Sequence, residues 1–129
     1  MDGTAEINPA RILLVEDEAL ICAMICDALL EHGFEVHAVS NAGDALKYLR
    51  DGAPVDVLFT DINLPGEIDG ALLAQEARAM RPDLPVVFAS GRWGLLDRLR
   101  TMPGTVCLPK PYSPERACAV VDQLVATRH

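Results

Sequence analysis

Glu16-Asp17, Asp61, Ser90 and Lys110 could act together on a divalent cation and a phosphoryl group if the fold brought them to one place. Each follows a short apolar run: Arg11–Val15, Val55–Thr60, Pro85–Ala89 and Thr105–Pro109. If those runs are neighbouring parallel strands, their carboxyl ends open on one shared crevice. Three carboxylates meeting there repel by roughly 4 kcal/mol per close pair at an effective dielectric near 20. A bound Mg²⁺ offsets that repulsion, because it takes carboxylate and carbonyl oxygens and commonly works beside phosphate groups. Under such a cation a carboxylate becomes a credible in-line acceptor for a phosphoryl group. Asp61, alone on its strand end, is the candidate acceptor. Glu16 and Asp17 are the candidate metal ligands, and Lys110 is a point charge for a phosphoryl oxygen.

The elements that must position these residues alternate along the chain. Ile21, Met24, Ile25, Ala28 and Leu29 recur at helical spacing, and Gly33 suits a left-handed stop. Phe34–Val39 alternates as a strand does, and Ser40-Asn41 then offers helix-capping chemistry. A second helix carries Ala42, Ala45, Leu46 and Leu49 before Asp51–Pro54 breaks the chain. The turn-rich stretch Leu64–Gly70 leads from the third strand into a helix over Ala71–Met80, with Glu67 and Asp69 read as solvated loop charges. A short helix is expected around Leu95–Arg100, and Ser113-Pro114 opens a last one reaching about Ala126. Five strands and five helices in alternation call for a parallel sheet covered on both faces by right-handed crossovers. Pro109 argues for an edge position of the fifth strand, since proline cannot donate to a ladder.

A length of 129 residues, half of them hydrophobic, fits one domain with its own core. The expected division is a tail over residues 1–10 and a domain over 11–127. Nineteen acidic against eleven basic residues give a net charge of −8, which opposes a nucleic-acid partner. No apolar stretch approaches the roughly 20 residues of a membrane span. The acidic first residues are unlike a signal peptide, so a cytoplasmic location is expected. Cys22, Cys26, Cys107 and Cys118 lack the spacing of a zinc site or the density of a disulfide scaffold, and read as reduced packing residues. His32, His37 and His129 share no face or spacing and read as surface or loop residues.

The set Glu16-Asp17, Asp61, Ser90 and Lys110-Pro111, in that order at successive strand ends, resembles the receiver domains of two-component response regulators over nearly the whole chain. The resemblance implies a flavodoxin-like α/β fold with strand order 2-1-3-4-5. It implies an Mg²⁺ held by Glu16, Asp17, Asp61 and the backbone carbonyl of Asn63, and a cis peptide between Lys110 and Pro111. It further implies that Asp61 receives its phosphoryl group from a histidine kinase or phosphotransfer protein, and that the Ser90 hydroxyl then turns inward to bond it as a switch. The expected protein is a single-domain signalling module rather than a turnover enzyme, passing its signal to an unknown downstream protein.

Departures from the common pattern accompany the match. The position three residues before Lys110, aromatic in many receivers, is Cys107. Phe88-Ala89-Ser90-Gly91 with Arg92-Trp93 resembles the Phe-Ala-Thr-Gly subgroup, whose members are often stand-alone and share that lack. Tyr112 and Trp93 are the remaining aromatic candidates, Tyr112 reading first as packed core. Three alternatives share parts of the constellation: an unphosphorylated pseudo-receiver, a receiver cut from a larger hybrid kinase or regulator, and a haloacid-dehalogenase-like Mg²⁺ hydrolase. The hydrolase wants a second acid two residues after its nucleophile, where this chain has Asn63.

Overall fold

The computed structural model describes residues 9–91 and 103–127. Its elements, in chain order, are β1 (Arg11–Val15), α1 (Ala19–Glu31), β2 (Glu35–Val39), α2 (Ala42–Arg50), β3 (Val57–Asp61), α3 (Gly70–Met80), β4 (Val86–Ser90), β5 (Thr105–Pro109) and α4 (Pro114–Thr127). The strands form one parallel sheet in the order β2-β1-β3-β4-β5, the flavodoxin-like order that the resemblance implies. Four helices stand among the described residues, against the five expected. The helix read around Leu95–Arg100, with Arg92 and Trp93, lies outside the described residues.

The apolar pattern of each strand follows from its place in the sheet. β3 and β4 are buried at every position, because neighbouring strands flank them and helices cover both faces. β2 lies at one edge and is only partly covered, with Glu35, His37 and Ala38 exposed and Val36 and Val39 half-buried. Pro109 sits on β5, at the other edge of the sheet, where its missing N–H breaks no ladder. Leu46 of α2 and Leu73 of α3 pack with Leu58 and Phe88 on one face. Ile25 and Leu29 of α1 and Val121 of α4 pack with Ile12 and Phe59 on the other.

Local chemistry sets the helix ends. The Asn41 side chain accepts the Asp44 N–H at 2.8 Å and opens α2, while the Ser113 hydroxyl accepts the Arg116 N–H at 3.1 Å at the start of α4. Asp69 corrects a reading made from sequence. It is the N-cap of α3, accepting the Leu72 N–H at 2.9 Å, and not merely a solvated loop charge. The helix begins at Gly70, one residue earlier than its apolar periodicity suggests, and Asp69 thereby falls at the capping position. Cys22 and Cys26 pack half-buried against the α1 side of the core, as their apolar neighbours suggest, and burial pushes both thiols up. His32 pairs with Asp122 of α4 at 2.5 Å and His37 stacks on Tyr48, both on the surface.

Candidate functional site

The strand register brings the chemistry-bearing residues to one rim of the sheet. Val15 stands beside Thr60, Asp61 beside Ala89, and Ser90 beside Pro109, so β1, β3, β4 and β5 end nearly level. Backbone bonds carry this alignment just past the strands. The Ile62 N–H donates to the Ala89 carbonyl at 3.0 Å, and the Lys110 N–H donates to the Ser90 carbonyl at 2.9 Å. Glu16, Asp17, Asp61, Ser90 and Lys110 therefore share this rim.

Asp61 lies at the centre and is only 5% exposed. Its Oδ2 accepts from Lys110 Nζ at 2.7 Å, and its Oδ1 accepts the Asn63 N–H at 3.1 Å. Glu16, equally buried, accepts the Glu18 N–H on Oε2 at 3.1 Å and has Oε1 3.8 Å from Lys110 Nζ. Asp17 is exposed, yet it can bring a carboxylate oxygen to within 4.8 Å of oxygens from both Glu16 and Asp61. Among the described residues this is the cluster able to hold a metal ion. The donors are all hard oxygens, the type Mg²⁺ prefers. Three ionised carboxylates against Lys110, the one cation found beside them among the described residues, leave two negative charges, which one divalent cation would cancel. The residues present therefore fit Mg²⁺.

The same balance of charge shifts the ionisable groups. Burial pushes the Glu16 carboxyl above its ordinary range, and the Asp61 and Asp17 charges add to the rise; the Glu18 N–H and Lys110 only partly counter it. Burial by itself would lower the Lys110 ammonium, but its hydrogen bond to Asp61 and the charges of Asp61, Glu16 and Glu18 hold it above its usual value. Lys110 is thus a fixed cation at neutral pH. Glu16 gives a measurable consequence. Its pKa is higher folded than unfolded, so its proton favours the folded chain at low pH, and that contribution is lost as pH rises through the folded value. Glu16→Gln imitates the protonated form. Thermal unfolding at pH 7 without divalent cations should show a higher melting temperature for this variant than for the unaltered chain, and added Mg²⁺ should narrow the gap. A melting temperature equal to or below that of the unaltered chain would contradict the assigned balance.

Ser90 is fully buried at the end of β4, and Asn63 is an exposed loop residue two positions past Asp61. The Lys110–Pro111 peptide is cis. Tyr112 is half-buried with its ring centroid 6.1 Å from that of Phe59, and burial pushes its phenol up, helped by the Glu16 and Asp61 charges. It packs with the α1 and α4 core. Cys107 packs against the opposite cluster, on the Phe88 side. Two supporting contacts were not anticipated from sequence. The Glu18 N–H holds Glu16, and the Thr60 hydroxyl donates to the Asp61 carbonyl at 2.9 Å. The Thr60 contact had a partial cue, a hydroxyl residue between the apolar Val57-Leu58-Phe59 and the acid.

Comparison with known proteins gives one consistent result. The family model described as the response regulator receiver domain matches residues 12–122. The crystal structure of a response regulator receiver protein from Sinorhizobium medicae is 33% identical and superposes with a TM-score of 0.87, covering 95% of this chain and 98% of that one. The sensor kinase CckA of Brucella abortus is 32% identical over 90% of this chain but 12% of its own length. The transcriptional regulatory protein BaeR of Escherichia coli is 32% identical over 92% of this chain and 49% of its own length. The chain thus spans half or less of these two curated relatives.

Proposed function

The chain belongs to the response regulator receiver family, and from that premise we propose that Asp61 accepts a phosphoryl group from a histidine kinase or phosphotransfer protein and that the domain signals through altered protein contacts. One observation carries this reading. The buried Asp61 carboxylate is held by Lys110 on one oxygen and the Asn63 N–H on the other, within reach of two further acids.

Each residue then has a task. An Asp61 oxygen forms the new bond to phosphorus as the bond from phosphorus to the donor's imidazole nitrogen breaks, its electron pair remaining on that nitrogen. Glu16, Asp17, Asp61 and the Asn63 backbone carbonyl are the proposed holders of Mg²⁺, which when bound neutralises charge on the phosphoryl oxygens. Lys110 transfers its ammonium from the carboxylate to a phosphoryl oxygen and keeps the new negative charge paired. Ser90 donates its hydroxyl to another phosphoryl oxygen, so the loop after β4 has one arrangement with the group and another without it. Pro111 follows Lys110 and sets the direction in which the chain leaves the site. The domain proper is proposed to span 11–127, with 1–10 as a tail.

An apolar cleft of about 430 Å³ between Ile21, Met24 and Ile25 of α1 and the Lys110–Tyr112 segment opens beside the acceptor. It offers the donor protein a surface adjoining Lys110. The length of the curated relatives also supports a second setting, in which this receiver is one part of a larger kinase or regulator.

Acetyl phosphate, a small phosphodonor, tests the acceptor reading without a cognate partner. Intact-mass measurement should show the chain gaining one phosphoryl group in the presence of Mg²⁺ and none in excess EDTA. No gain under either condition would leave the pseudo-receiver as the better account.

A further inference from the structure

The first residue of α3 rests directly on the backbone of the acceptor. Gly70 is buried, and its N–H donates to the Ile62 carbonyl at 2.7 Å. A Cβ at this position would stand 2.1 Å from the Asp61 carbonyl oxygen, 2.7 Å from the Ile62 Cα and 2.9 Å from the Asp61 carbonyl carbon. All three are backbone atoms, so no side chain can swing aside to make room. Glycine is required here for space and not for an unusual conformation, since the positive-φ glycines are Gly33, Gly52, Gly66 and Gly104. The close approach of the Asp61 and Ile62 backbone supplies the reason for its presence.

We propose that Gly70 is a positioning residue for the phosphoacceptor: its missing side chain lets α3 clamp the Asp61–Asn63 turn that aims the carboxylate. The proposal rests on the reading of Asp61 as acceptor. The helix cannot easily retreat from an added methyl group, because Asp69 caps it and Leu73, Ala74 and Ala77 are buried in the core. The turn must yield instead, by roughly 1 Å, a displacement that can cost on the order of 10²-fold where geometry governs a reaction. Two contacts read that displacement directly: Asn63 N–H to Asp61 Oδ1, and Lys110 Nζ to Asp61 Oδ2.

The test compares the full chain with Gly70→Ala and Gly52→Ala. Gly52 has φ +87° and open space around it, and it follows the end of α2 at the rim opposite the site. Alanine there strains the backbone without touching the acceptor. At a temperature where all three chains are folded, G70A should bind Mg²⁺ about tenfold more weakly and take up phosphoryl groups from acetyl phosphate on the order of 10²-fold more slowly. Its metal-free Asn63 amide resonance should also move. G52A should lose melting temperature yet stay within about twofold of the unaltered chain in both measurements, with its Asn63 amide unmoved.

Equal behaviour of G70A and G52A, or an unmoved Asn63 amide in G70A, overturns the proposal. If the unaltered chain takes up no phosphoryl group, the acceptor reading fails instead, and the metal-free amide comparison still decides whether Gly70 sets the turn. Should G70A not fold, hydrogen exchange in the unaltered chain decides. Mg²⁺ should slow the Gly70 and Asn63 amides together, and a Gly70 amide indifferent to Mg²⁺ overturns the clamp.

Discussion

Asp61→Asn is expected to show no phosphoryl gain by intact mass after incubation with acetyl phosphate and Mg²⁺, while keeping a cooperative thermal transition. An amide has no anionic oxygen to form the bond to phosphorus, so the loss is complete rather than graded. The fold should survive for an electrostatic reason. Asp61 helps to raise the Glu16 carboxyl, so a neutral residue in its place relieves repulsion among the acids. Lys110 loses its 2.7 Å partner but keeps Glu16 at 3.8 Å. Persistence of the mass gain in the folded variant would place the acceptor elsewhere in the chain.

Lys110→Met should separate metal binding from phosphoryl transfer. Methionine keeps an unbranched apolar stem and removes the ammonium, the only cation found against these carboxylates among the described residues. Removing one charge-stabilising donor from a reaction centre typically slows the chemistry by about 10²- to 10³-fold, and that loss is expected in the rate of phosphoryl uptake. Mg²⁺ affinity should move in the opposite direction, since the competing ammonium no longer occupies Asp61. Without Mg²⁺ the variant should melt lower, because buried carboxylates are left without their counter-charge. Calorimetric titration and intact-mass kinetics measure the two quantities independently. Weakened Mg²⁺ binding together with unchanged uptake would refute the role given to Lys110.

The strand ends were the most legible part of this chain. Each apolar run stops at a residue whose chemistry contrasts sharply with it, and a buried parallel strand tolerates such a residue only at its end. Helix starts were legible where a capping residue stood directly before the helical pattern with no acidic neighbour in its loop, as at Asn41 and Ser113. Asp69 was obscured because Glu67 and Asp69 stand together in a polar loop, and loop charge and N-cap share a composition. The contact of Gly70 with the Asp61 backbone left almost no local cue. A glycine ending a turn-rich stretch ordinarily signals backbone conformation, whereas here it answers to atoms nine positions earlier in the chain.

From its order of residues alone, this chain determined which acids, hydroxyl and ammonium follow its apolar runs, and that alternating strands and helices would carry them. Hydrophobic periodicity and side-chain chemistry are local properties, so they survive in a linear reading. Tertiary structure alone decided that Glu16 and Asp61 are buried around Lys110, that Tyr112 packs half-buried beside Phe59, and that Gly70 of α3 lies directly against the Asp61 backbone. Those outcomes depend on distances between segments remote in sequence, set by sheet register and helix packing to within about an ångström, and no single stretch of chain encodes such a distance.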